Sequence, residues 1–386
     1  MGGHDRLQDQ TSMDVQDFIV VGAGMAGTSA AAELAAFGSV LLLERESQPA
    51  YHATGRSAAL FTETYGNRVV RALTTASRGH YRAPPAGFAE HPLLRPRGVL
   101  LVARPDQLER LEAMEAELGR GPAPVERRSG AEIEAAVPAL RRGRLAAGIL
   151  DPEAADIDVH GLHAGYLRLL RARGGRLLAD AEVTAAERRD GLWRVEAGGG
   201  THLGRVLVDA AGAWADELAA LAGARPVGLV PKRRTALLLR APVEGSIEGW
   251  PMVIDIDEQF YFKPDAGKLL ASPADETPMP PCDVQPDELD IAILIDRLQE
   301  VLELPQPRIE HRWAGLRTFA ADKTLVAGFD PDLEGFFWVA GQGGYGIQTA
   351  PAMARLTAAL ATGRPIPADI ADLGVSAADL SPARFA

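Results

Sequence analysis

The chain has one cysteine, Cys282, in 386 residues. A lone thiol excludes an internal disulfide and a cysteine-rich metal site. The eight histidines offer no metal-ligand spacing either, since His160 and His163 lie three apart with no acidic partner pattern. No metal is therefore expected. Positive charge is in deficit: 40 Lys and Arg face 52 Asp and Glu, a formal net charge of −12. Such a surface repels phosphate backbones, which argues against a nucleic-acid partner. Long apolar runs are missing, so no transmembrane segment is expected. The polar stretch from Met1 to Asp17 lacks the apolar core of a secretory signal. It reads as a disordered leader, or as an extension ahead of a start at Met13, with ordered structure beginning at Asp17. A cytoplasmic location is the default, with peripheral membrane attachment left open. There is also no Ser-His-Asp or catalytic-cysteine arrangement.

What is present suits a folded enzyme. Hydrophobic residues are 47% of the sequence, an ordinary share for a globular protein. At 386 residues the chain exceeds one simple core, so two domains are expected. Phe18 to Val21 is a short apolar run that stops at glycine and reads as a buried parallel strand. Gly22-Ala23-Gly24-Met25-Ala26-Gly27 turns it into a small-residue helix from Met25 to Phe37, ended by Gly38. Val40 to Leu43 is a second buried strand, followed by Glu44. This βαβ unit is the dinucleotide fingerprint. Gly22 and Gly24 let the backbone approach a pyrophosphate, with Ala26 and Gly27 at the helix start. The helix N-terminus favours the anion, and Glu44 can accept hydrogen bonds from a ribose.

Two later segments end in the same way. Val206 to Asp209 runs into Ala210-Ala211-Gly212, and Phe336 to Ala340 runs into Gly341-Gln342-Gly343-Gly344-Tyr345-Gly346. A long helix from Ile347 to Thr362 is expected directly after. These separated pieces predict one nucleotide-binding domain. Between them, Leu93 to Ala103 and Lys232 to Ser272 show the alternation of an antiparallel sheet. Gly198 to Gly200 reads as a hairpin tip. The fold class expected is α/β: a Rossmann-like FAD-binding domain (14–95, 150–225, 320–386) with an antiparallel β-rich substrate domain (96–149, 226–319).

The fingerprint alone does not separate FAD from NAD. The loop His52 to Ala59, with Thr54 and Ser57, suits the flavin side of a dinucleotide. Arg317 stands in the apolar setting Trp313 to Phe319, where an arginine needs a partner. Its planar fork suits a carboxylate, and a tyrosine hydroxyl such as that of Tyr261 adds a further hydrogen bond.

At this point a resemblance becomes specific. Gly55-Arg56-Ser57-Ala58-Ala59, Pro84 to Phe88, Ala155-Asp156-Ile157-Asp158 and Pro231 to Arg234 carry it. So do Phe260 to Asp265, Trp313 to Arg317 and Gln342 to Thr349. Together with the first glycine turn they resemble the FAD-dependent D-amino-acid oxidase/dehydrogenase family, and within it the D-arginine dehydrogenases. The resemblance implies noncovalent FAD and oxidation of an amino acid to an imino acid, which water hydrolyses to a keto acid and ammonia. Oxygen or a quinone or other carrier would be the electron acceptor. It places Tyr65 and Arg234 beside Arg317 and Tyr261 in the substrate site, although Lys232-Arg233-Arg234 also reads as a solvated basic patch. It extends the cofactor site to Arg45, Thr54, Arg56, Ser57, Ala58, Val183, Ala211, Gly212, Gly343, Gly344, Tyr345, Gly346, Ile347 and Gln348. It assigns Leu60, Thr62, Val99, Met252, Ile254 and Gln348 to the substrate pocket, and makes the segment around Tyr65 a mobile lid.

The resembled D-arginine dehydrogenases place an acid where this chain has Val99 and a histidine where it has Leu60. Both departures make the pocket apolar and predict a preference for hydrophobic D-amino acids. Glu63, in the lid, is expected to face solvent; as a relocated acid it would restore arginine. A secondary-amine oxidase of sarcosine or glycine type, an NAD-dependent dehydrogenase and a flavin-binding subunit of a larger complex remain the alternatives.

Overall fold

The computed structural model describes residues 14–121 and 123–385. Most of the expected leader thus lies outside the described residues. The chain is already extended at Val15, two residues ahead of Asp17, because Val15 and Gln16 pair with Leu203 and Gly204. The strand Val15–Val21 lies parallel to Val40–Leu43 on one side and to the end of Gly200–Asp209 on the other. Arg176–Leu178 extends the parallel set beyond Val40–Leu43, and Phe336–Ala340 extends it beyond Asp209. The three glycine-ended strands foreseen in the sequence are therefore neighbours in one sheet. A hairpin, Val183–Arg189 with Leu192–Ala197, completes one edge, and Gly198 and Gly199 take positive φ in the turn that follows it.

Both faces of this sheet are covered, as buried parallel strands require. On one face the helix Met25–Leu34 packs with Val159–Ala172 and Ala350–Ala361 around Val20, Leu42, Val208 and Phe337. On the other, Ile19, Leu41, Leu207 and Trp338 meet Ala215 and Ala219 of the helix Ala215–Ala222. The first helix is shorter than expected. It stops at Leu34, and Phe37 is left exposed beyond it.

A second eight-stranded sheet runs Ile309–Phe319, Val230–Leu239, Lys268–Ser272, Tyr261–Asp265, Met252–Asp255, Val99–Ala103, Ala147–Asp151, Glu126–Ser129. The expectation of an antiparallel sheet holds for every neighbouring pair except one: Met252–Asp255 lies parallel to Val99–Ala103. That pair joins two stretches far apart in sequence, which no hairpin constrains to be antiparallel. Leu94–Pro96, expected in the same sheet, instead joins Ala155–Ile157 and Leu60–Phe61 in a small third sheet.

Alternation gives the second sheet two different faces. Leu237, Leu239, Phe262, Leu269, Val253 and Leu100 pack on Ile291, Leu294 and Leu298 of the helix Glu288–Val301. The residues between them point the other way, toward the nucleotide-type sheet, and make one wall of the cavity described next.

Candidate active site

A cavity of about 860 Å³ lies between the two large sheets. Its walls include Gly22, Gly24, Ala26, Glu44, Thr54, Arg56, Ser57, Ala58, Val183, Ala211 and Gly212. Gly343 to Gln348, Tyr65, Arg234, Tyr261, Arg317, Leu60, Thr62, Val99, Met252 and Ile254 line it as well. All but one of the site residues expected from sequence therefore share one space.

The exception is Gly27. A Cβ there would fall 1.9 Å from the Gly22 carbonyl oxygen and 3.0 Å from the Ala210 Cβ. Gly27 is thus the residue that lets the helix close onto two strands, and it does not line the cavity. The last glycine of the fingerprint serves packing rather than contact.

The fingerprint turn fits a dinucleotide. The helix from Met25 carries no side-chain cap and no acid in its first turn, so nothing of its own neutralises its positive end. Thr54 Oγ1 accepts the Met25 N–H at 2.9 Å, which ties the His52 to Ala59 loop to that turn. Each oxygen of Glu44 accepts one backbone N–H, from Ala23 at 2.8 Å and from Glu46 at 3.0 Å. The carboxylate is fixed in place and keeps lone pairs for a diol. Arg45 lies at the rim, paired to Glu182 at 3.1 Å and stacked 5.0 Å over Trp214. Arg56 donates to Asp283 at 2.6 Å and to the Ala314 carbonyl at 3.1 Å, holding the loop against the second sheet.

The long C-terminal helix begins at Ala350, three residues later than expected. Gly343 to Thr349 form consecutive turns instead, with the Tyr345 N–H on Gln342 O and the Thr349 N–H on Tyr345 O. Pro351 sits in the first turn of the helix, where a missing N–H costs nothing. Gln348 lines the cavity but donates its amide to Thr74 at 2.9 Å.

Register explains the opposite wall. Lys232 pairs with Arg317, Arg234 with Gly315 and Ala236 with Trp313, so Arg234 and Arg317 are on the same face of adjacent strands. Tyr261 pairs with Ile254, and Met252 with Val99, on that face too. The wall therefore runs from two arginines, past a tyrosine, to Met252, Ile254, Leu101 and Val99. Arg233 points the other way, to Asp290 at 2.7 Å. Arg234 is buried, giving its Nε to the Asp275 carbonyl at 2.9 Å, so it is not part of a solvated patch.

Arg317 has no hydrogen-bond or ion-pair partner among the described residues. A Cβ on Gly344 would lie 2.9 Å from an Arg317 Nη and 3.4 Å from the Tyr65 hydroxyl, so the two groups converge at that glycine. The Tyr65 and Tyr345 rings are 5.1 Å apart. Burial pushes the Tyr65 phenol up while Arg317 opposes that shift; the net rise keeps it a neutral donor.

Glu63 is not in solvent. It is buried, bonded to Arg78 of the helix Arg68–Arg82, and it does not line the cavity. As a relocated acid in the pocket it is therefore excluded. Among the acids that do line the cavity is Glu258, in the turn between Met252–Asp255 and Tyr261–Asp265 at φ 55°. Its setting, Asp257-Glu258-Gln259, reads in sequence as an ordinary polar turn. Trp214 and His52 line the cavity too, with their rings packed 4.7 Å apart. Two other motif residues turn out to be structural. Asp156 takes Lys263 at 2.6 Å and Arg97 at 2.7 Å, and Asp158 caps the helix Val159–Ala172.

Comparison with known proteins gives the family and the fold. The FAD dependent oxidoreductase family matches residues 17–360. A hydrogen cyanide synthase subunit, HcnC, of Pseudomonas aeruginosa is 30% identical over 211 residues, 53% of this chain and 49% of that protein. L-2-hydroxyglutarate dehydrogenase of Escherichia coli is 24% identical over 60% of this chain and 56% of its own length. The chain spans about half the length of these curated relatives. The L-proline dehydrogenase structure from P. horikoshii superposes with a TM-score of 0.81 at 20% identity, covering 97% of this chain and 98% of that one. The glycine oxidase structure from Geobacillus kaustophilus does so at 0.77 and 21%, covering 93% and 97%. At these identities the two structures show the fold. No helix among the described residues is long and apolar enough to cross a membrane.

Cys282 and His52 line the cavity as well, so release on denaturation tests whether the flavin is held without a covalent bond. Heat or acid denaturation of the purified yellow protein is expected to release FAD into the supernatant. Flavin retained in the precipitate would contradict noncovalent binding. With its glycine turn, fixed Glu44 and matching residues 17–360, the chain belongs to the FAD dependent oxidoreductase family.

Proposed function

We propose that the protein oxidatively deaminates D-amino acids with apolar side chains. The observation that carries this reading is the graded wall: Arg317, without a partner among the described residues, at one end, Tyr261 between, and Met252, Ile254 and Val99 at the other. An amino acid has the same layout, with a carboxylate at one end and a side chain at the other.

In this reading the Arg317 fork takes the carboxylate, and the Tyr261 and Tyr65 hydroxyls donate to it. Arg234 adds positive charge from the adjacent strand. Gly344 leaves room for the carboxylate to reach Arg317. The apolar end takes the side chain and excludes water from it. Holding both ends fixes Cα, and such positioning is worth a large part of a reaction barrier. FAD, when bound, supplies the acceptor for the hydride. The product is an imino acid, which water converts to a keto acid and ammonia. An amine bound unprotonated needs no dedicated base. The D configuration is supported by the resemblance carried by Gly55 to Ala59, Pro231 to Arg234 and Gln342 to Thr349. Oxygen or a quinone-type carrier is the proposed acceptor of the electrons.

Product analysis tests the reaction. Incubated with D-leucine and an artificial electron acceptor, the protein is expected to yield the branched keto acid and ammonia in equal amounts. Formation of glyoxylate and methylamine from sarcosine, with no keto acid from any D-amino acid, would replace this reading by a secondary-amine oxidase.

A further inference from the structure

Tyr65 reaches the carboxylate end of the cavity from a segment with no fold of its own. Its hydroxyl has no hydrogen-bond partner among the described residues. What holds it must act through the residues before it. Thr62, Glu63 and Thr64 are tied from outside on both sides. Glu63 turns to Arg78 of the helix Arg68–Arg82. Thr62 Oγ1 donates to Asp151 Oδ2 at 2.8 Å, Thr64 Oγ1 reaches the same oxygen at 3.4 Å, and the two hydroxyls are 2.7 Å apart.

Asp151 is well placed to be the fixed end of this tie. It closes the strand Ala147–Asp151 and pairs in register with Val99, inside the second sheet. It is only 4% exposed, and its other oxygen accepts the Glu153 N–H at 3.1 Å. It does not line the cavity, whereas Thr62 and Thr64 do. Burial raises its carboxyl above the usual range, and the bonds from Thr62 and Glu153 work against that. A carboxylate this deep is costly unless hydrogen-bonded, and hydroxyls of the lid segment supply the bonds.

We infer that Asp151 is a positioning residue for Tyr65: it anchors Thr62 and Thr64 to the rigid sheet and so sets where the Tyr65 hydroxyl meets the substrate carboxylate. The inference rests on the proposed reading of Tyr65 as a carboxylate donor. It makes specificity for the carboxylate depend on a side chain that never touches substrate.

The test is a double-mutant cycle of Asp151→Ala and Tyr65→Phe, each protein first checked for full FAD content. Two quantities are read: kcat/KM for D-leucine, and the Kd of anthranilate, a carboxylate with no oxidisable Cα–H, from the flavin spectrum. Asp151→Ala is expected to lose about tenfold to a hundredfold in both, the scale of a misplaced contact. Asp151→Asn, whose amide oxygen still accepts from both hydroxyls, should stay within about threefold of wild type. In the Tyr65→Phe background Asp151→Ala should cost less than about twofold, because coupled residues are not additive. If Asp151→Ala does not accumulate with flavin, Thr64→Val in the same cycle carries the same expectation. Losses that multiply, or an Asp151→Ala protein like wild type, would overturn the inference alone. A Tyr65→Phe protein like wild type in both quantities, or a wild type that neither oxidises D-leucine nor binds anthranilate, would overturn it together with the reading beneath it.

Discussion

Arg317→Ala is expected to lower kcat/KM for D-leucine by about 30-fold to several thousandfold. Removing one partner of a desolvated, hydrogen-bonded charge pair costs about 2–5 kcal/mol, and each 1.4 kcal/mol is about tenfold. The size follows from the setting. Arg317 has no carboxylate of its own among the described residues, so its charge is available to substrate. Arg234, the other arginine on that face, already gives its Nε to the Asp275 carbonyl and faces Glu276 at 3.4 Å. It can replace only part of the lost attraction. Arg317→Lys should recover little, because an ammonium cannot reproduce a two-point planar fork. FAD content should stay normal in both variants, separating substrate binding from cofactor loss. An Arg317→Ala protein with near-normal turnover would move the anchor to Arg234.

The second large effect concerns the side chain. Val99 is 2% exposed and packs in one cluster with Met252 and Tyr261, with Leu60 and Ile254 against it. A guanidinium entering this end would be desolvated with no partner, whereas a leucine side chain gains about 1.5–3 kcal/mol from burial. Breaking or omitting the partner of a buried charge costs about 3–5 kcal/mol. Wild type is therefore expected to favour D-leucine over D-arginine in kcat/KM by about a hundredfold or more. Val99→Glu places a carboxylate at that end and should lower the ratio by at least about tenfold. Glu63→Gln should leave the ratio unchanged, since Glu63 faces Arg78 rather than the cavity. The lining acid whose charge is felt at the arginine end is Glu258, a neighbour of Tyr65, Tyr345 and Arg317. A wild type that prefers D-arginine, and loses that preference in Glu258→Gln, would show that this turn supplies the counter-charge and that the pocket is not apolar in effect.

The cofactor half of the site was legible because its residues are nearly contiguous. A strand, a glycine turn and a helix leave their mark within thirty-odd residues, and Phe18 to Glu44 carries it. Even there the sequence could not tell contact from packing: Gly22 and Gly27 look alike, yet only Gly22 lines the cavity. The substrate wall was legible as residues but not as an order. Arg317, Arg234, Tyr261, Met252 and Val99 come from five strands, and only strand register puts them in line. The parallel pairing of Met252 with Val99 is a long-range choice with no local signal. The acids were the least legible. Glu63 stands in a turn between Thr62 and Thr64, and it bonds Arg78 while their hydroxyls bond Asp151. Glu258 lies in a polar turn, and that it lines the cavity follows from where the hairpin Met252–Asp255 to Tyr261–Asp265 sits in the sheet, which has no local signal.

Anaerobic mixing of the yellow protein with matched D- and L-amino acids tests the central claim most directly, because the flavin itself reports hydride transfer without any acceptor. The account predicts rapid bleaching with D-leucine, D-methionine and D-phenylalanine and little with their L-enantiomers, D-arginine or sarcosine. Bleaching by L-amino acids alone, or by sarcosine alone, would contradict it.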